Sequence, residues 1–298
     1  MTYRIQSVAR LTGISTATLR AWERRYHLVA PGRTTKGYRL YTDDDVARLA
    51  RIKAMLDDGL RIGEAVDRVR RLTPSLLPAD ATRPEEVAAA SEAILSALLA
   101  MDRAAAVQAY DRLAFVPPLR RVDEVLLPVL NQVGELWACG EGNIAQEHFA
   151  SAFIRERLAA LMEALDVPGP GPEAVCAGLP GEHHEFGLIA AALHLAARGW
   201  KVTYLGPDLP LHDLGIVLHQ RRPLLLCVSL VRDLSTDEFA AVAAQLRDAA
   251  LPETRVAVGG RGIPTNEERP SVSGVEVYET LDHLIEAVEE LGEPESDA

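Results

Sequence analysis

The spacing of hydrophobic residues changes along the chain and predicts two different kinds of folded region. Residues 85–165 are rich in alanine and leucine at helical spacing, with breaks at 117–118 and 140–143, which predicts a bundle of about four helices. From residue 174 onward, short apolar runs alternate with amphipathic stretches, a pattern that favours an open parallel sheet with helices on both faces. The apolar runs are residues 174–179, 201–205, 224–230, 255–258 and 275–278, and the helical stretches lie near 187–198, 212–221, 236–249 and 280–291.

Two proline-rich segments separate the parts of the chain. Residues 73–84 contain three prolines and no helical period, and residues 166–173 contain three prolines and two glycines, so both are predicted linkers. The expected order is therefore one domain at 1–72, the helical bundle at 85–165 and the α/β domain at 174–291. Residues 292–298 are predicted to be a frayed tail.

The first 72 residues have the pattern of a winged helix-turn-helix. A short helix is predicted at residues 6–11, a turn follows, and Ser15 is the predicted N-cap of a second helix that ends near Tyr26. Residues 33–41 predict a hairpin wing with Lys36-Gly37 at its turn, and further helices are expected at 42–58 and 62–72. The predicted apolar contacts between the first two helices are Val8, Ile14, Leu19 and Trp22.

Charge and exposed polar groups point to DNA as the partner of this first domain. Residues 1–72 carry a net charge of +7, whereas the remaining 226 residues carry −19, so only the first domain suits a polyanion. Hydroxyl and guanidinium groups on the second helix suit phosphates and base edges in a major groove, and the wing is expected to reach a neighbouring phosphate backbone. The candidate DNA contacts are Thr16, Thr18, Arg20 and Arg24 on the helix, and Tyr38 and Arg39 on the wing.

Composition excludes several other classes of protein. No apolar run reaches the ~20 residues that span a bilayer, and the N-terminus lacks the apolar stretch of a signal peptide, so no membrane partner and a cytoplasmic location are expected. Cys139, Cys176 and Cys227 form no metal-binding spacing, and the latter two are expected to be buried small hydrophobes. Because no nucleophile triad, Walker loop or paired carboxylates occur, the chain is not expected to be an enzyme.

A three-part signature in the last 125 residues names a cofactor. Glu182-x-His184-x-x-Gly187 is followed, after 41 intervening residues, by Ser229 at the end of an apolar run, and Gly259-Gly260 follow the next run. This signature resembles the cobalamin-binding fold of methionine synthase and the carbon-skeleton mutases. The resemblance implies that His184, rather than the adjacent His183, replaces the cofactor's own base as the lower ligand of cobalt.

The same resemblance assigns roles to the other residues of the signature. It implies that the displaced base of cobalamin enters a slot lined by Ser229 and Gly259-Gly260, and that Gly187 allows a close turn into the following helix. Glu182 is expected to accept the second ring N–H of His184, as carboxylates beside metal-binding histidines do. Many cobalamin proteins have aspartate at this position, so the longer glutamate is a departure from the pattern.

Two further segments resemble a family of regulators. Residues 18–26, Thr-Leu-Arg-Ala-Trp-Glu-Arg-Arg-Tyr, and 37–41, Gly-Tyr-Arg-Leu-Tyr, resemble the MerR superfamily, whose members act on double-stranded DNA operators as symmetric dimers. Trp137, followed by Glu147-His148, resembles the helical cap of its CarH/LitR group of light-sensing, cobalamin-dependent repressors. The resemblance implies that Trp137 covers the upper face of the corrin and that Glu147 and His148 contact the upper group or the corrin edge.

The expected protein is therefore multidomain, α and α/β, with a winged helix-turn-helix, a four-helix bundle and a Rossmann-like parallel-sheet cobalamin-binding domain. Resemblance to the CarH/LitR group implies a photoreceptor and repressor that binds adenosylcobalamin, with methyl- or hydroxocobalamin as alternatives. The long dimerisation coiled coil of many MerR members is missing after residue 72, so self-association as a dimer or tetramer is expected to use the cobalamin-binding region.

One departure keeps other functions open. In the best-known light-sensing members, a histidine that binds cobalt from above follows the cap tryptophan, whereas this chain has Ala138. His148, His183 or water remain as substitutes. A first alternative is a corrinoid protein that carries methyl groups, against which residues 1–72 argue. A second is a regulator with a degenerate pocket that signals through an antirepressor protein.

Overall fold

The computed structural model describes residues 2–33, 38–57, 59–72, 84–165, 171–264 and 269–292. Two compact units make up the chain, Met1–Val167 and Pro168–Ala298. Within the described ranges, no helix combines the length and the apolar character needed to cross a membrane.

The first unit begins with a winged helix-turn-helix. Its elements are β1 (Thr2–Arg4), α1 (Ile5–Thr12), α2 (Thr16–Tyr26), β2 (Gly32–Arg33), β3 (Arg39–Thr42), α3 (Asp43–Asp57) and α4 (Ile62–Leu72). Gly13 ends α1 in the left-handed region at φ 68°, and the Ser15 hydroxyl accepts a hydrogen bond from the Thr18 N–H at 3.1 Å, as predicted for an N-cap. The three strands form an antiparallel sheet in the order β1-β3-β2.

Two details of this domain differ from the sequence-based expectation. Strand β1, which pairs with β3, was not predicted. Trp22 is half-buried and packs against Leu28 and against apolar residues of α3 and α4, so it joins α2 to those helices, whereas Val8, Ile14 and Leu19 are buried. In the wing, Arg33 pairs with Arg39, and the predicted turn at Lys36-Gly37 lies outside the described residues.

A helical bundle completes the first unit. It contains α5 (Pro84–Leu99), α6 (Arg103–Asp111), a 3-10 turn (Arg112–Phe115), α7 (Pro118–Arg121), a π-helical turn (Val122–Leu126), α8 (Leu127–Ala138) and α9 (Ile144–Leu165). Because α7, the π-helical turn and α8 are continuous, the described residues 84–165 form four long helical segments. The breaks expected at 117–118 and 140–143 are present.

The helix-turn-helix packs on the bundle through α1 and α9. Near the end of α9, the carbonyl oxygen of Glu163 accepts a hydrogen bond from Arg10 Nη1 at 2.5 Å. A guanidinium group suits this position because the last carbonyls of a helix lack partners and carry partial negative charge. The α1–α9 contact therefore joins the DNA-binding domain to the helix that carries Glu147 and His148.

The second unit is a doubly wound α/β domain. Its elements are β4 (Glu173–Gly178), α10 (Phe186–Ala197), β5 (Lys201–Gly206), α11 (Leu211–Arg221), β6 (Leu225–Ser229), α12 (Thr236–Ala249), β7 (Arg255–Gly259), β8 (Val275–Tyr278) and α13 (Leu281–Gly292). All strands are parallel, in the order β5-β4-β6-β7-β8. The predicted parallel sheet is confirmed.

Alternation along the strands gives the sheet two different faces. One face carries branched apolar side chains, such as Val175, Leu226 and Val256, which pack with the apolar residues of α11 and α12. The opposite face carries smaller groups, including Cys176 and Cys227, which are register partners on β4 and β6. Both cysteines are buried and free, as expected, and a hydrogen bond with Cys227 together with burial raises the pKa of the Cys176 thiol.

Candidate cofactor and nucleic-acid sites

The chain reverses its direction of winding between β4 and β6. The connection from β4 leads outward to β5, whereas the connection from β6 leads the other way to β7, so the loops after these two central strands diverge at one point of the sheet edge. Ligands of open parallel sheets bind at such a switch point, outside the carboxyl ends of the strands. The Glu182–His184 loop follows β4, and Ser229 is the last residue of β6.

Glu182 is a buried carboxylate that is held at both oxygens. Its Oε2 accepts hydrogen bonds from the backbone N–H groups of Val231, at 2.6 Å, and Arg232, at 2.9 Å. Its Oε1 accepts one from the backbone N–H of His184 at 3.0 Å. Burial opposes ionisation, but the backbone donors and the His184 ring outweigh it and lower the pKa of Glu182 to about 2.

His184 is oriented by this carboxylate and presents its other nitrogen to solvent. The ring Nδ1 lies 2.8 Å from Glu182 Oε1, and because an ionised carboxylate can only accept, Nδ1–H is the donor of this hydrogen bond. The side chain is 61% exposed, and no residue of the described ranges hydrogen-bonds to Nε2. A neutral imidazole with one nitrogen fixed and the other open is the donor that a cobalt ion takes, so these residues fit a corrinoid.

Small residues surround Ser229 at the carboxyl ends of the central strands. Ser229 is buried and pairs with Gly178 on β4 and with Gly259 on β7. A Cβ atom on Gly187, in the first turn of α10, would lie 3.9 Å from Ser229 Oγ. Gly187, Ser229 and Gly259 therefore meet around one stretch of the sheet edge, as the spacing of the signature predicts.

Gly260 has a packing reason to be glycine. Its φ is +116°, and a Cβ atom there would lie 2.2 Å from the carbonyl oxygen of Leu230. The two loops that follow β6 and β7 approach each other at this residue, and Leu230 N–H donates to the Gly259 carbonyl at 2.8 Å. The close approach of the backbones requires glycine at 260 whether or not a ligand is bound.

The remaining three predicted cofactor residues belong to the first unit. Trp137 lies one residue before the end of α8 and is 50% exposed. Glu147 and His148 lie in the first turn and a half of α9, where Glu147 Oε1 accepts a hydrogen bond from Ser151 Oγ at 2.7 Å. His148 Nε2 is 3.6 Å from Glu147 Oε2, and its side chain is 73% exposed.

Trp137 is part of an exposed apolar end of the bundle. Met101 and Ile144 are also exposed, at 49% and 59%, and Gln146 Nε2 donates to the Leu99 carbonyl at 2.7 Å, which ties the start of α9 to the end of α5. Clustered exposed apolar side chains are typical of a ligand or partner surface. The sequence analysis missed Met101 and Ile144, because single apolar residues beside a helix end carry no pattern of their own.

The candidate DNA contacts lie on α2 and the wing. Arg20, Arg24 and Tyr38 are exposed, and the Thr16 and Thr18 side chains are partly exposed. Arg39 differs from the expectation of a side chain that reaches outward, because its Nε donates to Glu23 Oε2 of α2 at 2.7 Å. This hydrogen bond raises the pKa of Arg39 and ties the wing to α2. Arg39 therefore helps to place Tyr38 beside the helix.

Comparison with known families agrees with this arrangement. Residues 3–72 match the MerR HTH family regulatory protein, and residues 90–162, which form most of the bundle, match a B12 binding domain. The combination defines a DNA-binding transcription regulator with a cobalamin-binding region.

Two relatives from Myxococcus xanthus extend the match to nearly the whole chain. The HTH-type transcriptional repressor CarH is 38% identical over 95% of this chain and 98% of its own length. The HTH-type transcriptional repressor CarA is 34% identical over 96% of both chains. The protein belongs to this family of transcriptional repressors, so the expectation of a regulator rather than an enzyme is confirmed.

A solved structure shares the fold of much of this chain. The Methanosarcina barkeri monomethylamine corrinoid protein superposes with a TM-score of 0.56, at 17% identity, and covers 70% of this chain and 98% of its own. At this identity the likeness concerns the fold alone.

Proposed function

We propose that this protein is a cobalamin-dependent repressor whose operator affinity and oligomeric state are set by the bound corrinoid and its upper ligand, with light as the input. The observation that carries the proposal is the Glu182–His184 pair. A buried, ionised carboxylate fixes Nδ1 and leaves Nε2 open at the switch point of the sheet. An ordinary surface histidine has no need of a carboxylate held by three backbone N–H groups.

In this proposal, the residues divide into two groups that serve opposite faces of the corrin. His184 is the lower cobalt ligand, Glu182 positions it, and Gly187, Ser229, Gly259 and Gly260 take the displaced nucleotide tail. Trp137, Glu147 and His148 contact the upper group. When bound, adenosylcobalamin supplies a cobalt–carbon bond that visible light breaks. The exposed apolar surface of Trp137, with Met101 and Ile144, suits an apolar or aromatic upper group.

Regulation follows from differential affinity. A cofactor that contacts residues of both units favours one arrangement of the units over the others, and a surface formed only in that arrangement makes self-association depend on the cofactor. Linked DNA-binding domains gain avidity that a single domain lacks. Loss of the upper group then lowers operator affinity without any change in the residues that touch DNA.

Ala138 favours a second candidate function. No imidazole is present at the position after Trp137, and the proposed substitutes on the upper side are His148, His183 or water. A regulator whose pocket no longer senses light, and which instead responds to an antirepressor protein, is consistent with this difference. Light dependence of DNA binding separates the two candidates.

The test uses the full chain. The protein is loaded with adenosylcobalamin in darkness, desalted, and divided into dark and green-illuminated samples for absorption spectra, sizing and operator binding. We expect a retained corrinoid spectrum that changes on illumination, together with a smaller assembly and weaker DNA binding. A retained corrinoid with DNA binding that ignores light supports the second candidate. A desalted protein without corrinoid absorption overturns the cobalamin-dependent repressor and leaves a regulator with a degenerate pocket.

His183→Ala is the matched control for His184→Ala. Both histidines are exposed and adjacent, but only His184 is paired with Glu182. We expect His183→Ala to keep the histidine-ligated spectrum in darkness, and His184→Ala to lose it. The opposite result would move the cobalt ligand by one residue.

A further inference from the structure

We propose that Asp208, in the loop between β5 and α11, is a positioning residue that holds the His184 loop in the geometry needed to ligate a corrinoid. The inference rests on the proposed function, since it concerns the same cobalt ligand. Asp208 lies outside the signature of Glu182, His184 and Gly187, and 24 positions separate it from His184 in the sequence.

Asp208 makes two hydrogen bonds to the backbone of the His184 loop, one at Gly181 and one at Glu182. Its Oδ1 accepts from the Gly181 N–H at 2.8 Å, and its own backbone N–H donates to the Glu182 carbonyl at 3.0 Å. The next residue, Leu209, donates its N–H to the Gly178 carbonyl at 2.9 Å. The loop after β5 is therefore joined by three hydrogen bonds to residues 178–182, immediately before the cobalt ligand.

The two loops also fit closely. A Cβ atom on Gly178 would lie 2.9 Å from Pro207 Cα, so only glycine allows this approach. The β4–β5 register shifts between Cys176 and Ala177, which brings Ala177 opposite Gly206. Asp208 itself has φ +54°, in the left-handed region that aspartate tolerates better than most residues. Such backbone conformations persist where surrounding contacts hold them.

Glu182 is thus held from the ends of two different strands. Its side chain is bonded to backbone N–H groups in the loop after β6, and its main chain is bonded to Asp208 in the loop after β5. Because Glu182 fixes the His184 ring, displacement of the Glu182 backbone moves the imidazole. Within the described residues no hydrogen bond or ion pair joins Asp208 to His184, so its effect on cobalt ligation is expected to pass through Gly181 and Glu182.

The test compares two substitutions that differ in one property. Asp208→Gly removes the acceptor but keeps the left-handed backbone conformation, which glycine adopts without strain. Asp208→Asn keeps both an oxygen acceptor and tolerance of this conformation. The readouts on the full chain, loaded in darkness, are the dissociation constant for adenosylcobalamin and the absorption signature of histidine-ligated cobalamin.

We expect Asp208→Gly to weaken binding by about tenfold, the lower end of what loss of an outer-shell partner costs, and to increase the fraction without histidine ligation. Asp208→Asn is expected to stay within about twofold of the unsubstituted chain. In the His184→Ala background, Asp208→Gly is expected to add no further loss, because the effect requires the ligand through which it acts.

Three results would overturn the assignment. Asp208→Gly with unchanged affinity and spectrum shows that the contacts do not position His184. A loss that persists in the His184→Ala background shows that Asp208 touches the corrin or supports the fold in general, and thermal unfolding of the apo variants separates these. Failure of the unsubstituted chain to bind any corrinoid overturns the proposed function itself, and this proposal falls with it.

Discussion

The chain contains two Glu–His pairs, and they are built in opposite ways. In the α/β domain, Glu182 is 3% exposed, accepts hydrogen bonds at both oxygens, and lies 2.8 Å from the His184 ring. On α9, the Glu147 side chain is 31% exposed, is held by the Ser151 hydroxyl, and lies 3.6 Å from His148, which is 73% exposed.

The His184 ring is therefore held in one orientation before any cofactor binds, whereas the Glu147–His148 pair can still change its conformation. Ordering a side chain costs conformational entropy. Because Glu182 already orders the His184 ring in the absence of a cofactor, this cost is not added when the cofactor binds. The exposed His148 is not held in this way, so a ligand that uses it must order it on binding. Substitutions in the two pairs should therefore have unequal effects on corrinoid binding.

The largest expected effect comes from His184→Ala. Removal of the imidazole that the proposal assigns to cobalt is expected to weaken adenosylcobalamin binding by about 100-fold or more, beyond the range for outer-shell partners. Titration monitored by absorption gives the affinity, with His183→Ala as control. Unchanged affinity would mean that His184 is not the cobalt ligand.

Glu182→Gln tests whether the Glu182 carboxylate is needed to orient the His184 ring. The amide oxygen can replace one carboxylate oxygen, but the NH2 group must then face either the Val231 and Arg232 N–H groups or the backbone N–H and ring of His184, so at least one backbone donor loses its partner. We expect a loss of affinity of about 10–100-fold with partial loss of histidine ligation. An affinity equal to that of the unsubstituted chain would show that the ring orients itself without the carboxylate.

His148→Ala probes the other side of the comparison. Exposed ion pairs contribute up to ~1 kcal/mol, so we expect a change in corrinoid affinity below about fivefold. The measurement should be made before and after illumination, because His148 is one candidate for the upper position that Ala138 leaves without an imidazole. If His148→Ala lowered corrinoid affinity as much as His184→Ala, the two Glu–His pairs would contribute equally to binding, and the proposed difference between them would be wrong.

Ser151→Ala is expected to have the smallest effect. It removes the hydrogen bond that holds Glu147 and is expected to lower the free energy of unfolding by about 0.5–1.5 kcal/mol. Corrinoid affinity should change by less than about twofold, because the Glu147–His148 pair is expected to be ordered by the cofactor and not by Ser151. Thermal unfolding and the same absorption titration provide both values.

Sequence patterns predicted the elements of the molecule better than the contacts between them. Helical and alternating spacing placed every strand of the α/β sheet to within a residue or so, because burial on a sheet or helix face leaves a periodic trace. Strand β1 was missed because three residues are too few to show a period. The packing of Trp22 against Leu28, α3 and α4 was not predicted, since spacing gives the buried face of a helix but not which elements cover it.

The same difference between predictable residues and unpredictable contacts holds for the candidate site. The residue types of Glu182 and His184 were visible in the sequence, but the donors that hold Glu182 are backbone N–H groups of Val231 and Arg232, which any residue type except proline supplies. The need for glycine at 260 likewise comes from the backbone of Leu230, 30 positions earlier. Such contacts follow from strand order and loop geometry, which local sequence does not encode.

Because α1 contacts α9, a tilt of α9 would displace the helix-turn-helix domain. Helix α9 has 22 residues and is therefore about 33 Å long. Its first turns carry Glu147 and His148, and the carbonyl of Glu163 near its other end receives Arg10 from the DNA-binding domain. A tilt of about 5° at one end of a rod of this length displaces the other end by roughly 3 Å, close to the rise of one base pair. If the proposed corrinoid contacts at the start of α9 tilt the helix by this amount, the helix-turn-helix would move by about one base-pair step.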